Sequence, residues 1–187
     1  DIAVTGVVGL LGNGEGPCIA LRADMDALPI HEEADVEFRS EIDGKMHACG
    51  HDCHTAMLLG AARVLKDNEG EINGTIKLIF QPAEEGGAGG KMMRDQGVLE
   101  DPDVERIFGL HVSDKLPTGT LASKEGTLLA ATSSIKILVS GVGGHAAMPH
   151  LTVDPVVTGS KIVVELQTLV SRELDPLESG VISITMA

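Results

Sequence analysis

The chain has no tryptophan, no tyrosine and only three phenylalanines among its 187 residues. A core built from it must therefore rest on Val, Ile, Leu, Ala and Met, and a hydrophobic fraction of 43% supplies them. Basic residues are also scarce: 14 Lys and Arg stand against 28 Asp and Glu, for a formal net charge of −14. Affinity for phosphate backbones comes from clustered Lys and Arg, and the few here are scattered, so a nucleic-acid partner is not expected. No run reaches the roughly 18 apolar residues that would mark a membrane-spanning helix, so no membrane partner is expected either. The three cysteines, Cys18, Cys49 and Cys53, are an odd number, and two of them fall in a histidine-rich cluster. That points to metal binding or reactive thiols rather than to a disulfide framework. The chain starts Asp1-Ile2-Ala3, without an initiator Met and without the charged and apolar regions of a signal peptide. It therefore reads as a fragment, and its compartment stays open.

Short β-branched runs alternate with helical stretches, the pattern of an α/β sheet. Ile19–Arg22, Thr75–Phe80 and Arg106–Leu110 read as strands. His54–Lys66 reads as a helix with Met57, Ala61, Val64 and Leu65 on its buried face, and Lys91–Gln96 as a short helix stopped by Gly97. A second unit begins near Ala130. In it, Ser134–Ser140 alternates like a half-exposed strand, and Asp154-Pro155 opens a helix running to about Leu174. Val181–Met186 reads as a further strand. The expected division is residues 1–129 and 130–187.

Chemistry concentrates in His47-Ala48-Cys49-Gly50-His51-Asp52-Cys53-His54, which holds five Cys or His residues in eight positions. Thiolate and imidazole are the usual ligands of zinc and similar metals. The spacing is not that of a zinc finger or ribbon, and the plainer alternative is a polar helix entrance capped by Asp52. Other ligand types fall just after strands: Asp24 and Asp26 after the first, Glu84 and Glu85 after the second, His111 after the third. Sites in open α/β sheets form beyond the carboxyl ends of parallel strands. If these strands are parallel, all three ends deliver ligands to one edge. Adjacent carboxylates such as Glu84-Glu85 could divide the work, one holding a metal and the other taking a proton from water. A separate loop, Gly143-Gly144-His145, could present an imidazole to a developing oxyanion, although a plain loop histidine is the simpler reading. No serine sits in a GxSxG elbow, which removes the usual serine hydrolase.

Several linked motifs now stand in order: Leu21-Arg22-Ala23-Asp24-Met25-Asp26-Ala27-Leu28-Pro29, Met46–His54, Phe80-Gln81-Pro82-Ala83-Glu84-Glu85-Gly86, Gly109-Leu110-His111-Val112 and Gly143–His150. Together the set resembles the M20 family of metallopeptidases, and most closely its amidohydrolase branch of auxin-conjugate hydrolases, hippurate hydrolases and N-acyl-amino acid deacylases. The resemblance implies a three-layer α/β catalytic domain with a mixed sheet, interrupted by an α+β ferredoxin-like satellite domain, each represented here only in part. It implies Cys49, His51, Glu85 and His111 as metal ligands and Glu84 as the general base. Asp24 and Asp26 would orient those ligands, and His145 would reach the substrate from the satellite domain. It further implies two divalent ions per site (Mn, Zn, Co or Ni), an N-acyl amino acid substrate and a homodimer formed through the satellite. A further metal-ligand histidine of the family's C-terminal segment has no counterpart before Ala187. Two alternatives remain: a non-catalytic metal-binding or dimerising module, and a thiol redox protein using Cys49 and Cys53. The second is disfavoured by the CxxxC spacing and the surrounding carboxylates, which raise thiol pKa values.

Overall fold

The computed structural model describes residues 2–187. Contacts divide the chain into a first unit ending at Ala122 and a second, Ser123–Ala187.

In the first unit, four strands form one mixed sheet in the order β1 (Val7–Gly12), β3 (Thr75–Gln81), β2 (Cys18–Asp24) and β4 (Val104–Gly109). β2 runs parallel to both β3 and β4, in registers that pair Asp24 with Gln81 and Arg22 with Gly109. β1 lies antiparallel to β3. The three strands read from the sequence are present, each extended or shifted by one or two residues at an end, and they are parallel. Their carboxyl ends therefore open on a single edge. β1 was not anticipated. Its run Val-Val-Gly-Leu-Leu-Gly has no period-2 pattern, and its two glycines weaken a strand reading.

β3 is buried along its whole length because it is paired on both sides and covered on both faces. On one face Leu58 of α1 (His51–Asp67) packs with Ile76, Leu78, Phe80 and Ala23. On the other, Met93 of α2 (Gly89–Asp95) packs with Ile79, Ala20 and Val98. One helix on each face gives the three layers of an α/β/α arrangement. The buried stripe of α1 differs from the expected one: it holds His51, His54 and Leu58, whereas Met57 and Val64 are exposed. The stripe starts on two histidines, so a search for apolar periodicity alone sets it one residue out of phase. Asp52 makes no capping bond.

The second unit holds one long helix, α3 (Pro155–Thr168), which continues through a wider π turn, Leu169–Glu173. Asp154 caps it as expected, accepting from the amides of Val156 and Val157 at 2.8 and 3.1 Å. Of the expected apolar face, Ile162, Val163, Leu166 and Val170 are half-buried, while Leu169 is exposed. The strands expected at Ser134–Ser140 and Val181–Met186 are not formed. Ile135 and Val181 are more than four-fifths exposed. Alternation identifies which residues could face a core, but a strand also needs a neighbour to accept and donate its backbone bonds. Among the described residues of this unit the only ladder contact is the Val142–Val153 bridge. No helix among the described residues is long and apolar enough to cross a membrane.

Candidate metal centre

The parallel strands bring the ligand types together at one edge. β2 ends in Asp24, with Asp26 two residues on. β3 is followed by Glu84 and Glu85, and β4 by His111. Gly50, immediately before α1, sets the last piece in place. It adopts a left-handed conformation (φ 83°), and a Cβ there would stand 2.5 Å from Cγ2 of Val112. Only glycine accommodates both conditions without strain, and it lets the loop carrying Cys49 close against the segment carrying His111.

Cys49 Sγ lies 3.5 Å from His111 Nε2. His51 Nε2 faces Asp24 at 3.7 Å, Glu85 at 3.9 Å and Glu84 at 4.0 Å. Three overlapping sets, Cys49/His51/His111, His51/Glu84/Glu85 and Asp24/His51/His54, each have ligand atoms within 4.8 Å of one another. The first two contain all four residues expected as metal ligands together with Glu84. The third adds His54, to which no role was assigned. Asp26 does not face the cluster as a free ligand: its Oδ2 accepts the Glu85 amide at 2.9 Å, and its Oδ1 and backbone O lie 3.3 and 3.0 Å from His51 Nδ1. His51 Nδ1 therefore donates to Asp26, which leaves Nε2 as the lone-pair nitrogen. His111 is set the same way, with Nδ1 donating to the carbonyl of Val112 at 2.7 Å and Nε2 directed at Cys49.

The electrostatics suit a cation. Burial opposes ionisation of Asp24, yet its bond to His54 and the Arg22 guanidinium outweigh that and hold its carboxyl below the usual range. Burial acts likewise on Asp26, where the amides of Glu85 and Glu84 prevail and lower it. Cys49 moves the other way. Burial and then the carboxylates of Glu85, Glu84 and Asp24 raise its thiol, so it becomes a ligand thiolate only with a positive charge beside it.

A metal ion fits the residues present. His51 is 1% exposed, and its Nε2 has no hydrogen-bond partner. A buried polar atom is normally paired, and here the unpaired atom faces three carboxylates beside a thiol and a second imidazole. That mixture of soft and hard donors serves transition metals. Beside the site, Met25, Leu28, Pro29, Pro82 and Glu85 line an open, largely apolar cleft of about 670 Å³.

His145 belongs to the second unit and is exposed. Its Nδ1 accepts the amide of Ala147 at 3.1 Å, so the proton of the neutral ring sits on Nε2.

Comparison with known proteins gives one family. An Arabidopsis thaliana protein named IAA-amino acid hydrolase ILR1-like 5 is 56% identical over 183 residues, 98% of this chain and 42% of its own length. N-acetylcysteine deacetylase of Bacillus subtilis is 46% identical over 97% of this chain and 47% of its own. Among solved structures, one from methicillin-resistant Staphylococcus aureus is 37% identical and covers 97% of this chain and 48% of that one, with a TM-score of 0.76. A Bacillus subtilis structure described as a dinuclear metal binding peptidase from the M20 family is 50% identical, covering 65% of this chain and 34% of that one, with a TM-score of 0.61. The chain thus spans less than half the length of these relatives. The family model matches residues 20–184, from the first parallel strand through the loops that hold Cys49, Glu85 and His111 and on through α3, and the chain belongs to Peptidase family M20/M25/M40.

Proposed function

We propose that this sequence carries the metal-binding half of a hydrolase that cleaves the amide bond of N-acyl amino acids. The observation that carries the reading is the buried, unpartnered Nε2 of His51, with Glu84, Glu85 and Asp24 all within 4.0 Å of it. Cys49, His51, Glu85 and His111 would hold divalent metal, two ions in the complete site, as in the relative described as dinuclear. Such an ion supplies Lewis acidity and makes water acidic enough to be a nucleophile near neutral pH.

The chain's own residues do the rest. The Glu84 side chain is exposed, and its carboxylate stands 4.0 Å from His51 Nε2 without a hydrogen-bond partner among the described residues. It is free to take the proton of the attacking water and return it to the leaving amine nitrogen. Glu85 instead turns its carboxylate to the Cys49 thiol, so the two neighbouring carboxylates have separate tasks. The apolar cleft beside Glu85 is of a size and polarity to take the acyl group. The relatives named for indole-acetyl and acetyl conjugates bracket the class of acyl group. His145, with its proton on Nε2, has the donor needed to stabilise an oxyanion, and the second unit would pair in a homodimer to present it.

The test is release of free amino acid from N-acyl amino acids by the protein carrying this sequence, with Zn²⁺ or Mn²⁺ supplied. Release should require the metal and fall about 10²- to 10⁴-fold in Glu84→Gln, with metal binding retained. Release that survives this substitution overturns Glu84 as base. Metal binding with no release from any N-acyl substrate would leave a binding module and overturn the hydrolase.

A further inference from the structure

His54 takes no part in the reading above, yet it is among the most buried polar residues of the chain, at 3% exposure. The amide of Val112 donates to its Nε2 at 3.0 Å. A backbone N–H can only donate, so Nε2 is the ring's acceptor and carries no proton. The proton of the neutral ring is then on Nδ1, 2.5 Å from Oδ1 of Asp24, whose other oxygen is held by Arg22 at 2.7 Å. Both nitrogens of His54 are thus engaged. It could join His51 and Asp24 around an ion only by abandoning a buried bond at one end, which leaves a buried polar group bare.

The far end of this chain of bonds gives it meaning. Val112, which donates to His54, also accepts from His111: its carbonyl takes the Nδ1 proton and leaves Nε2 facing Cys49. The rings of His54 and His111 meet edge to face, with centroids 4.8 Å apart and planes at 74°. The loop after β4 has exposed neighbours on both sides of Val112. The bond to His54 is its anchor to α1.

We propose that His54 is a positioning residue: held in one tautomer by Asp24, it fixes the backbone of Val112 and so aims His111 Nε2 at the position shared with Cys49. This rests on the metal-centre reading and extends it to a residue outside the ligand set.

Nitrogen-15 NMR of the histidine rings in the full 187-residue chain, without and with Zn²⁺, tests it directly. His54 should show a protonated Nδ1 and a bare Nε2 in both states, while Nε2 of His51 and of His111 move on metal addition. A His54 nitrogen that moves like a ligand, or an Nε2 that carries the proton, overturns the proposal. Substitution adds a readout that a merely structural histidine would not give. In His54→Gln the amide oxygen stands where Nε2 stood and can accept from Val112. In His54→Asn only the contact with Asp24 is reproduced. Co²⁺ binding, followed by thiolate-to-cobalt absorption, should weaken about 10- to 100-fold in His54→Asn and recover most of that in His54→Gln. Equal affinity in the two variants overturns the proposal. Absence of the thiolate band in the unsubstituted chain is a different failure, since it removes the metal centre whatever the state of His54.

Discussion

Lys77 and His51 are both polar and almost fully buried against the same sheet, at 2% and 1% exposure, and they are bonded in opposite ways. The Lys77 ammonium, on the face of β3 turned toward α2, donates to the carbonyls of Val98, Glu100 and Pro102 at 3.0, 2.8 and 3.1 Å. Its three protons are all used, and they tie down the connection between α2 and β4. His51 has one nitrogen bonded to Asp26 and the other bonded to nothing. A polar group buried for structure is satisfied within the fold, because each unmet bond is a loss. A group buried for chemistry keeps an atom back for something the chain does not contain. Thr75 Oγ1, at the opposite end of β3, is also unpartnered, but no cluster of ligand types is found around it. The surroundings, as much as the missing bond, distinguish a site.

The two residues should therefore respond oppositely to substitution. His51→Ala is the larger effect on binding: it should weaken Co²⁺ or Zn²⁺ affinity by more than the roughly 10- to 100-fold that loss of a ligand's supporting partner costs. The metal-free chain should lose comparatively little stability. Lys77→Met should do the reverse, lowering the free energy of unfolding by about 2–4 kcal/mol as three carbonyls lose their donor and leaving metal affinity nearly unchanged. Denaturant unfolding and metal titration of both variants provide the check. Equal effects on both quantities would remove the distinction drawn above.

Neither role was visible in the sequence to the same degree. The centre was legible because its ligand types are compressed into Cys49–His54 and otherwise fall just after β-branched runs. Parallel pairing then does what the topology of such sheets dictates. Lys77 is one residue between apolar neighbours in β3, and the carbonyls that satisfy it lie 21 to 25 residues further on. Nothing local announces them. His54 is a similar case: its spacing identifies an imidazole near the cluster, but only the fold reveals that both nitrogens are occupied. β1 escaped because it is recruited by an antiparallel neighbour rather than by its own pattern. In the second unit the failure was of the opposite kind. Ser134–Ser140 and Val181–Met186 have strand periodicity, and the partners that would make them strands are not among the described residues.

A smaller substitution sharpens the boundary between site and scaffold. Gly50→Ala places a methyl group 2.5 Å from the Val112 side chain and asks an L-residue to hold φ 83°. The backbone conformation alone costs about 1–2 kcal/mol. The collision falls on the residue that accepts from His111 and donates to His54. Stability and metal affinity should therefore fall together, unlike either substitution above. Adding Val112→Ala should restore part of the affinity by removing the collision, but not the stability owed to the backbone. Affinity unmoved by Gly50→Ala would mean that the loop after β4 is free to shift without disturbing His111.

Both the number of bonds and their burial enter the cost of losing them at Lys77, and Asp154 separates the two. Its carboxylate accepts from Val156 and Val157 at the start of α3, in the exposed second unit. Two well-formed bonds are lost in Asp154→Ala, nearly as many as in Lys77→Met. Yet water can reach the freed amides, and loss of an N-cap is worth about 1 kcal/mol. The expected result is faster amide exchange at Val156 and Val157 and a modest loss of helical circular dichroism, with the first unit's unfolding midpoint and metal affinity unaltered. If Asp154→Ala costs as much as Lys77→Met, bond count rather than burial governs, and the unpaired nitrogen of His51 loses its special standing as a mark of function.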